Sequence, residues 1–357
     1  MLKIKEINVR GVKVPMSEPH QTASAIISES PLVLTDVVLE NGICGNSILF
    51  TYTPAVLKPC ADLVSNIAPL LIGEQLAPLA ISEMLSAKFR LLGAQGLVGM
   101  ALAAIDMALW DALAKANDLP LVNQLGGKIK PMPAYGAIGF DGVNGSARTA
   151  ERLVAQGFTG VKAKIGYSTL QQDIDVVESI QRVIGEDITL MVDYNQSLNP
   201  VEAMLRVEEL HGYGLGWIEE PVLAHDFDSL ARITSASAIP IQAGENWWGI
   251  LDMQHAIDSE ASDYMMPDVM KMGGVSGWMK AAAMAQAKSI PISNHLWPEV
   301  SIHLLCCAGT AHWLEYSDWW NPVLIEPLEL IDGMAQPSDK PGSGIQWDES
   351  AIEKFQI

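Results

Sequence analysis

The chain has 357 residues, 49% of them hydrophobic, with a formal net charge of −20 and a pI near 4.6. This length and hydrophobic fraction suffice for a barrel of about 200–250 residues together with a smaller domain. The acidic balance argues against nucleic acid as a partner, because a polyanion would be repelled. The longest uncharged apolar run, residues 91–105, is shorter than the roughly 20 residues of a membrane span, so no membrane association is expected.

The cysteines and the first residues of the chain indicate a reducing compartment. Residues 1–6 mix charged with apolar side chains and do not resemble a secretory signal. The cysteines (Cys44, Cys60, Cys306 and Cys307) have no CxxC spacing, and the last two are adjacent in an apolar run. Such a set is typical of reduced, buried thiols. We therefore expect a soluble cytoplasmic protein.

Residues 1–125 predict an α+β domain. Alternation over residues 4–9 and 32–39, a turn at Asn41 and Gly42, and a short run at 44–47 predict a three-stranded meander. Residues 16–30 are expected to form a loop between the first two strands. The pattern is helical over 54–115, and residues 97–114 are apolar nearly all round, which predicts a buried helix.

Residues 126–318 alternate regularly between short strands and helices. Strands are predicted at 131–137, 157–165, 188–194, 216–219, 239–244, 263–267, 290–294 and 311–315. Helical intervals such as 149–156, 170–184 and 275–288 separate them. Parallel strands with helical crossovers predict an α/β fold, a modified TIM barrel of (β/α)7β type capped by the N-terminal domain. The Pro/Gly-rich tail, residues 319–357, is expected to pack back on that cap.

A ladder of residues follows the predicted barrel strands at intervals of 20–29 positions. The carboxyl ends of the strands of such a barrel meet at one mouth, where active sites lie. All of these residues except the first have a side chain that can take part in catalysis or bind a metal. The ladder comprises Ala137, Lys164, Asp193, Glu219, Glu245, Asp268, His295 and Glu315.

Three of these residues predict a metal site. Asp193, Glu219 and Glu245 are each 26 residues apart, and carboxylates that converge repel one another unless a cation lies between them. A ligand set of oxygens alone favours a hard ion, so Mg²⁺ is expected, with Mn²⁺ as a substitute. Taken singly, each carboxylate fits a helix cap or a salt bridge equally well, but their equal spacing argues against that alternative.

Two further positions predict bases. Lys162 and Lys164 lie on one face of their strand and point inward, where each would lower the pKa of the other, so that one can be neutral and act as a base. His295 ends the strand after Asp268, an arrangement that predicts an imidazole oriented by a carboxylate. Near other carboxylates and an anionic substrate, Glu315 could be held protonated and donate a hydrogen bond to a developing oxyanion, with a salt bridge at the rim as the alternative. The other histidines are interpreted as structural: His20, His211, His225, His255, His303 and His312.

These residues, and the sequence around them, resemble the enolase superfamily and within it the mandelate racemase subgroup. The resemblance covers nearly the whole chain and includes the residues Lys162-Ala163-Lys164, Asp193-Tyr194-Asn195, Trp217-Ile218-Glu219-Glu220-Pro221, Gly244-Glu245-Asn246, Pro267-Asp268, Asn294-His295 and Trp313-Leu314-Glu315.

The resemblance implies abstraction of a proton alpha to the carboxylate of a small-molecule substrate, through an enediolate. Lys164 would serve the S face, and His295 with Asp268 the R face. Lys162 would contact the substrate carboxylate, and Glu315 would be the electrophilic acid. Asn195 is also expected in the site. A homo-octamer is implied as well.

Two positions depart from the subgroup pattern at the substrate. The serine expected on the first strand, a donor to the substrate carboxylate, is Ala137 here, and an apolar residue after the acid is replaced by Ser317. The segment 16–30 and Tyr52 are expected to wall the pocket. Ile26, Ile27 and Leu296 would form an apolar side that accepts an aromatic or aliphatic group.

Two reactions use this set of residues. Racemisation of a 2-hydroxy acid such as mandelate requires bases on both faces, and the apolar pocket side favours it. Dehydration of an acid sugar to a 2-keto-3-deoxy acid is the alternative, and Ala137 with Ser317 keeps it open. A metal-binding scaffold without catalysis is the least favoured reading, because both bases, the ligands and the acid are present.

Overall fold

The computed structural model describes residues 2–21 and 26–357. It begins with an antiparallel sheet of order β1-β2-β3, formed by Ile4–Gln21, Ile26–Leu39 and Cys44–Phe50, which confirms the predicted meander. The expectation of a loop over 16–30 is wrong for the described residues, because β1 and β2 continue as a ribbon in which His20 pairs with Ile27. The ribbon extends beyond the buried part of the sheet, so it carries no apolar alternation that would mark a strand.

Helices pack against this sheet. They are α1 (Pro54–Ile67), α2 (Pro78–Lys88), α3 (Gly96–Ala116) and α4 (Leu121–Gln124). The predicted buried helix is α3, which packs on β3 so closely that a Cβ at Gly45 would lie 2.2 Å from the carbonyl oxygen of Ala108. Among the described residues, α3 is the one helix long and apolar enough to cross a membrane, but 78% of its most apolar window is buried within the fold, as in a core helix.

The rest of the chain forms the predicted α/β barrel. Parallel neighbours run from β4 to β9, each strand followed by a helix on the outside. The strands are β4 (Met132–Ile138), β5 (Gly160–Lys164), β6 (Thr189–Asp193), β7 (Ile218–Glu219), β8 (Ile241–Ala243), β9 (Tyr264–Met265) and β10 (Leu314–Tyr316). The helices are α5 (Gly142–Ala155), α6 (Leu170–Ile184), α7 (Pro200–Glu209), α8 (Phe227–Ala236), α9 (Gly249–Asp258), α10 (Gly274–Ala287) and α11 (Pro298–Cys307).

The barrel closes through a segment that is not a regular strand. The prediction of a strand at 290–294 is wrong in that respect: Ile292 makes single bridges to Met265 and to Ala311, while Pro291 has no N–H to add to the ladder. A further single bridge joins His295 to Asp268. The strand β10 then pairs with β4 and completes the ring.

The tail contacts both parts of the molecule. The strand β12 (Met334–Ala335) forms a hairpin with β11 (Leu330–Ile331) and pairs with the first residues of β4, before the stretch of β4 that pairs with β10. Farther on, the Trp347 indole donates a 2.6 Å hydrogen bond to Asp36 of the cap, and α12 (Glu349–Phe355) packs on β1.

Candidate active site

A cavity of about 1080 Å³ lies between the cap and the barrel mouth. It brings together most residues predicted to act in catalysis, and Glu219 and Asp268 lie buried directly behind them. The lining includes Lys162, Lys164, Asp193, Asn195, Glu245, His295 and Glu315, and the predicted pocket residues Ile27, Tyr52, Ala137, Leu296 and Ser317. Ile26 does not line the cavity: its side chain is 67% exposed, because it alternates with Ile27 along the ribbon.

The three predicted metal ligands converge at the bottom of this cavity. Asp193 and Glu219 end β6 and β7, and Glu245 follows β8 through Gly244, whose φ of +138° lets the chain turn. Their ligand atoms all lie within 4.8 Å of one another. A ligand set made only of carboxylate oxygens, with spacing this close, fits a hard divalent cation.

Without a cation, burial of these three carboxylates in their charged form costs free energy. Burial is the main cause that raises the pKa of Glu219 to about 8, and the charges of Asp193 and Glu245 raise it further against the opposing effect of Lys162. At Glu245, burial also acts to raise the pKa, but His295 and the nearby lysines outweigh it and lower the pKa to about 2. The cluster therefore depends on neighbouring positive charge.

Lys164 flanks the cluster on one side. Its Nζ lies 3.4 Å from Oδ2 of Asp193 and donates a short hydrogen bond to Oδ1 of Asn195. Asn195 has a positive φ of +43° and binds Asp193 through both its backbone N–H and its side-chain amide. The asparagine thus fixes both a metal ligand and the candidate base.

Lys162 lies between two carboxylates. Its Nζ lies 2.6 Å from Glu219 and 3.0 Å from Glu315, and the side chain is 4% exposed. Burial acts to lower its pKa, but the two carboxylates outweigh burial and raise the pKa well above its usual value. Lys162 is therefore not the lysine of the pair that could be neutral, because its partners come from strands distant in sequence.

Glu315 also has neighbours that favour its charged form. Burial acts to raise its pKa, but Lys162 and His295 lower it to a greater extent, so the net shift is downward. Its Oε2 accepts a 3.0 Å hydrogen bond from the backbone N–H of Leu296, which ties β10 to the segment after His295.

His295 and Asp268 form the predicted pair. Nδ1 of His295 lies 2.6 Å from Oδ2 of Asp268, whose other oxygen accepts backbone N–H donors from Met270 and Lys271. The opposite nitrogen, Nε2, lies 3.4 Å from Glu245. Burial acts to lower the pKa of His295, but Glu245 and Asp268 outweigh it and raise the pKa to about 9. The imidazole can therefore hold a proton at Nε2, on the side of the metal ligands.

Two lining residues were missed by sequence reasoning. His20, interpreted above as structural, lines the cavity with its ring 5.1 Å from that of Trp319. Burial is the main cause that lowers its pKa to about 3, and Lys164 adds to the shift. Lys271 lines the cavity too: its Nζ donates a 2.7 Å hydrogen bond to Asn246 and lies 5.3 Å from the centre of the Tyr52 ring. The only sequence signal for Lys271 was its place three residues after Asp268.

Comparisons with known proteins agree with this geometry. Residues 4–126 match the family model described as the mandelate racemase / muconate lactonizing enzyme N-terminal domain, and residues 145–351 match the enolase C-terminal domain-like model. The chain therefore belongs to the enolase superfamily, in the mandelate racemase-like group.

Relatives in this family have several activities. An enolase from Bradyrhizobium, solved in complex with magnesium and mandelic acid, is 43% identical with a TM-score of 0.96, and the match covers 100% of this chain and 99% of that one. L-talarate/galactarate dehydratase of Salmonella typhimurium is 31% identical over 74% of this chain and 67% of its own. D-galactarolactone cycloisomerase of Agrobacterium fabrum is 28% identical over 100% and 99%. Epimerases and racemases of amino acid derivatives match as well.

These comparisons and the carboxylate cluster define a Mg²⁺-dependent enzyme of the enolase superfamily. Several solved neighbours contain magnesium, and Asp193, Glu219 and Glu245 are the residues here that would hold it. When bound, Mg²⁺ supplies positive charge to the carboxylate of a substrate whose alpha proton is being removed.

Proposed function

We propose that the protein racemises a 2-hydroxy acid with an apolar or aryl side chain, such as mandelate. The observation that carries the proposal is the placement of two candidate bases on opposite flanks of the metal ligands. Lys164 lies 3.4 Å from Asp193, the first of these ligands, and His295 lies 3.4 Å from Glu245, the last. A group on each side of the alpha carbon is what racemisation requires.

The remaining residues have complementary roles in this proposal. Lys162 meets the substrate carboxylate, and Asp268 holds the imidazole of His295 in place by its 2.6 Å contact at Nδ1. Glu315 lies 3.0 Å from Lys162, which favours its charged form, so a proton on Glu315 would have to arrive with the substrate, whose negative charge raises the pKa of a neighbouring carboxyl. Ile27, Leu296 and the Tyr52 ring would then contact the side chain of the substrate.

Deuterium exchange tests the proposal directly. With Mg²⁺ in D₂O, proton NMR of (R)- and (S)-mandelate should show loss of the alpha-proton signal from both enantiomers with the wild-type protein. Lys164→Ala should abolish exchange of the S enantiomer more completely than that of the R enantiomer. His295→Asn should instead abolish exchange of the R enantiomer. Exchange of neither enantiomer by the wild-type protein would refute racemisation of an aryl substrate.

Dehydration of an acid sugar is the second candidate. The polar side of the cavity favours it, because His20, Gln21 and Asp318 can bind hydroxyl groups of a polyol chain. In that reaction Lys164 removes the alpha proton and His295 donates a proton to the departing 3-hydroxyl. Incubation with galactarate and Mg²⁺, followed by semicarbazide, would detect the 2-keto acid, and its formation without racemisation of mandelate would establish dehydration instead.

We further propose a cytoplasmic homo-oligomer, octameric by the family resemblance. The four cysteines are unpaired, which agrees with a reducing compartment. Light scattering that gives the mass of a monomer would refute the oligomer.

A further inference from the structure

Ser317 carries a hydroxyl that has no partner in the fold. The side chain is 6% exposed, and its Oγ lacks a hydrogen-bond partner among the described residues. Among the buried, unpartnered side-chain polar atoms of the described chain, only those of Ser317 and Asn321 belong to residues that line the active-site cavity. A buried hydroxyl without a partner costs free energy, so a group that binds from the cavity would offset that cost.

The position of Ser317 places this hydroxyl beside the candidate carboxylate site. It follows Glu315 by two residues and comes directly after the end of β10, and both residues line the cavity. Glu315 contacts Lys162 at 3.0 Å. Ser317 therefore lies on the same side of the cavity as the lysine that would meet the substrate carboxylate.

Ala137 is the neighbour of Ser317 on the adjacent strand. The last paired residues of β10 and β4 are Tyr316 and Gly136. The next residues along the chain are Ser317, directly after β10, and Ala137, still within β4. Both line the cavity, and Ala137 offers it only a methyl group. At this level of the barrel mouth, the residue that follows β10 carries a hydroxyl, whereas the residue on β4 does not.

We propose that Ser317 donates a hydrogen bond to the substrate carboxylate, and so supplies from β10 the hydroxyl that Ala137 cannot supply from β4. The inference deepens the proposed function and depends on it, since the ligand is the carboxylate of a 2-hydroxy acid. It predicts that a hydroxyl at either position, 317 or 137, is sufficient for normal binding of the substrate carboxylate. Removing the hydroxyl altogether weakens carboxylate binding, because hydrogen bonds to charged groups are among the stronger ones.

Binding of glycolate tests this prediction independently of side-chain specificity. Glycolate has the carboxylate and hydroxyl of the substrate class but no side chain. Its Kd is measured by titration calorimetry with Mg²⁺ for the wild type, Ser317→Ala, Ala137→Ser and the double variant. We expect Ser317→Ala to raise the Kd about tenfold. Ala137→Ser alone should change it little, and the double variant should restore the wild-type Kd.

The possible outcomes separate the two proposals. An unchanged Kd in Ser317→Ala, with a wild type that binds glycolate and exchanges the mandelate alpha proton, overturns the role of Ser317 alone. Weaker binding that Ala137→Ser does not restore shows a structural effect, and also overturns it. A wild type that exchanges neither mandelate enantiomer and does not bind glycolate with Mg²⁺ overturns both this inference and the proposed function. Thermal unfolding of each variant verifies that the comparison is between folded proteins.

Discussion

The Tyr52 hydroxyl donates a 3.3 Å hydrogen bond to Oδ2 of Asp268, the same oxygen that lies 2.6 Å from Nδ1 of His295. Tyr52 belongs to the cap and has a positive φ of +59°, whereas the other two residues follow barrel strands. The indole of Trp297, two residues after His295, in turn donates to the carbonyl oxygen of Ile48 in the cap. The cap therefore holds the candidate acid–base pair as well as covering the cavity.

Tyr52→Phe should slow the step that depends on His295. Loss of one neutral hydrogen bond is worth about 0.5–1.5 kcal/mol, or roughly a 2- to 13-fold decrease in rate. Alpha-proton exchange of (R)-mandelate should fall more than that of (S)-mandelate, because Lys164 has no contact with Tyr52 or Asp268. Tyr213→Phe, on the outer surface of the barrel, is the matched control. Equal losses for the two enantiomers would contradict this role.

Metal dependence should be visible in thermal stability. Mg²⁺ binds the folded protein through Asp193, Glu219 and Glu245, and a ligand at 100 times its Kd stabilises by about 2.7 kcal/mol. We expect the Tm of the wild type to rise with Mg²⁺ and to fall with EDTA. Glu219→Gln should shift this dependence to higher Mg²⁺ concentration, whereas Glu208→Gln, an exposed control on α7, should behave as the wild type.

Gly274 should tolerate no side chain. A Cβ there would lie 2.3 Å from Oδ1 of Asp106, the cap carboxylate that accepts a hydrogen bond from the backbone N–H of Ser276, and the residue has a φ of +83°. Gly73 has a similar φ of +85° but open space around it, so Gly73→Ala isolates the backbone strain, about 1–2 kcal/mol. Gly274→Ala should lower the free energy of unfolding by about 1–3 kcal/mol more, measured in urea.

The buried His303 predicts a pH dependence of stability. Its Nδ1 accepts a hydrogen bond from the backbone N–H of Val122, and burial is the main cause that lowers its pKa from 6.5 to about 4. The unfolded chain therefore binds this proton more tightly, so the contribution is complete above pH 6.5 and is lost as the pH falls toward 4. At pH 5 the loss is about 2 kcal/mol.

Urea unfolding at pH 7 and pH 5 measures that loss. His303→Asn should unfold more easily at pH 7, but its free energy of unfolding should fall less between the two pH values than that of the wild type. The exposed His211→Asn is the control and should keep the wild-type difference. A wild-type difference retained in His303→Asn would show that other groups cause it.

Local patterns made the barrel and most of its mouth predictable. Each functional residue lies at or just after the end of its strand, and the strand ends meet at one mouth. The regular spacing of Asp193, Glu219 and Glu245 was therefore enough to predict that they converge. Sequence patterns could not predict what depends on the cap meeting the barrel. His20 reaches the cavity only because β1 and β2 extend as a ribbon over the mouth. The high pKa of Lys162 likewise requires carboxylates from two other strands.

The positive side chains of the cavity have a consequence for how substrate arrives. The molecule has a net charge of −20, yet Lys162, Lys164 and Lys271 line its cavity. Carboxylates such as Asp193, Glu245 and Glu315 line the same cavity, so an approaching anion is repelled at long range and attracted only close to the mouth, where bound Mg²⁺ would add its charge to that of the lysines. Salt shortens the Debye length from about 30 Å at 0.01 M to about 8 Å at 0.15 M, and this removes the distant repulsion first. Encounter is therefore slowest in dilute buffer, the reverse of an enzyme whose surface field steers its substrate inward.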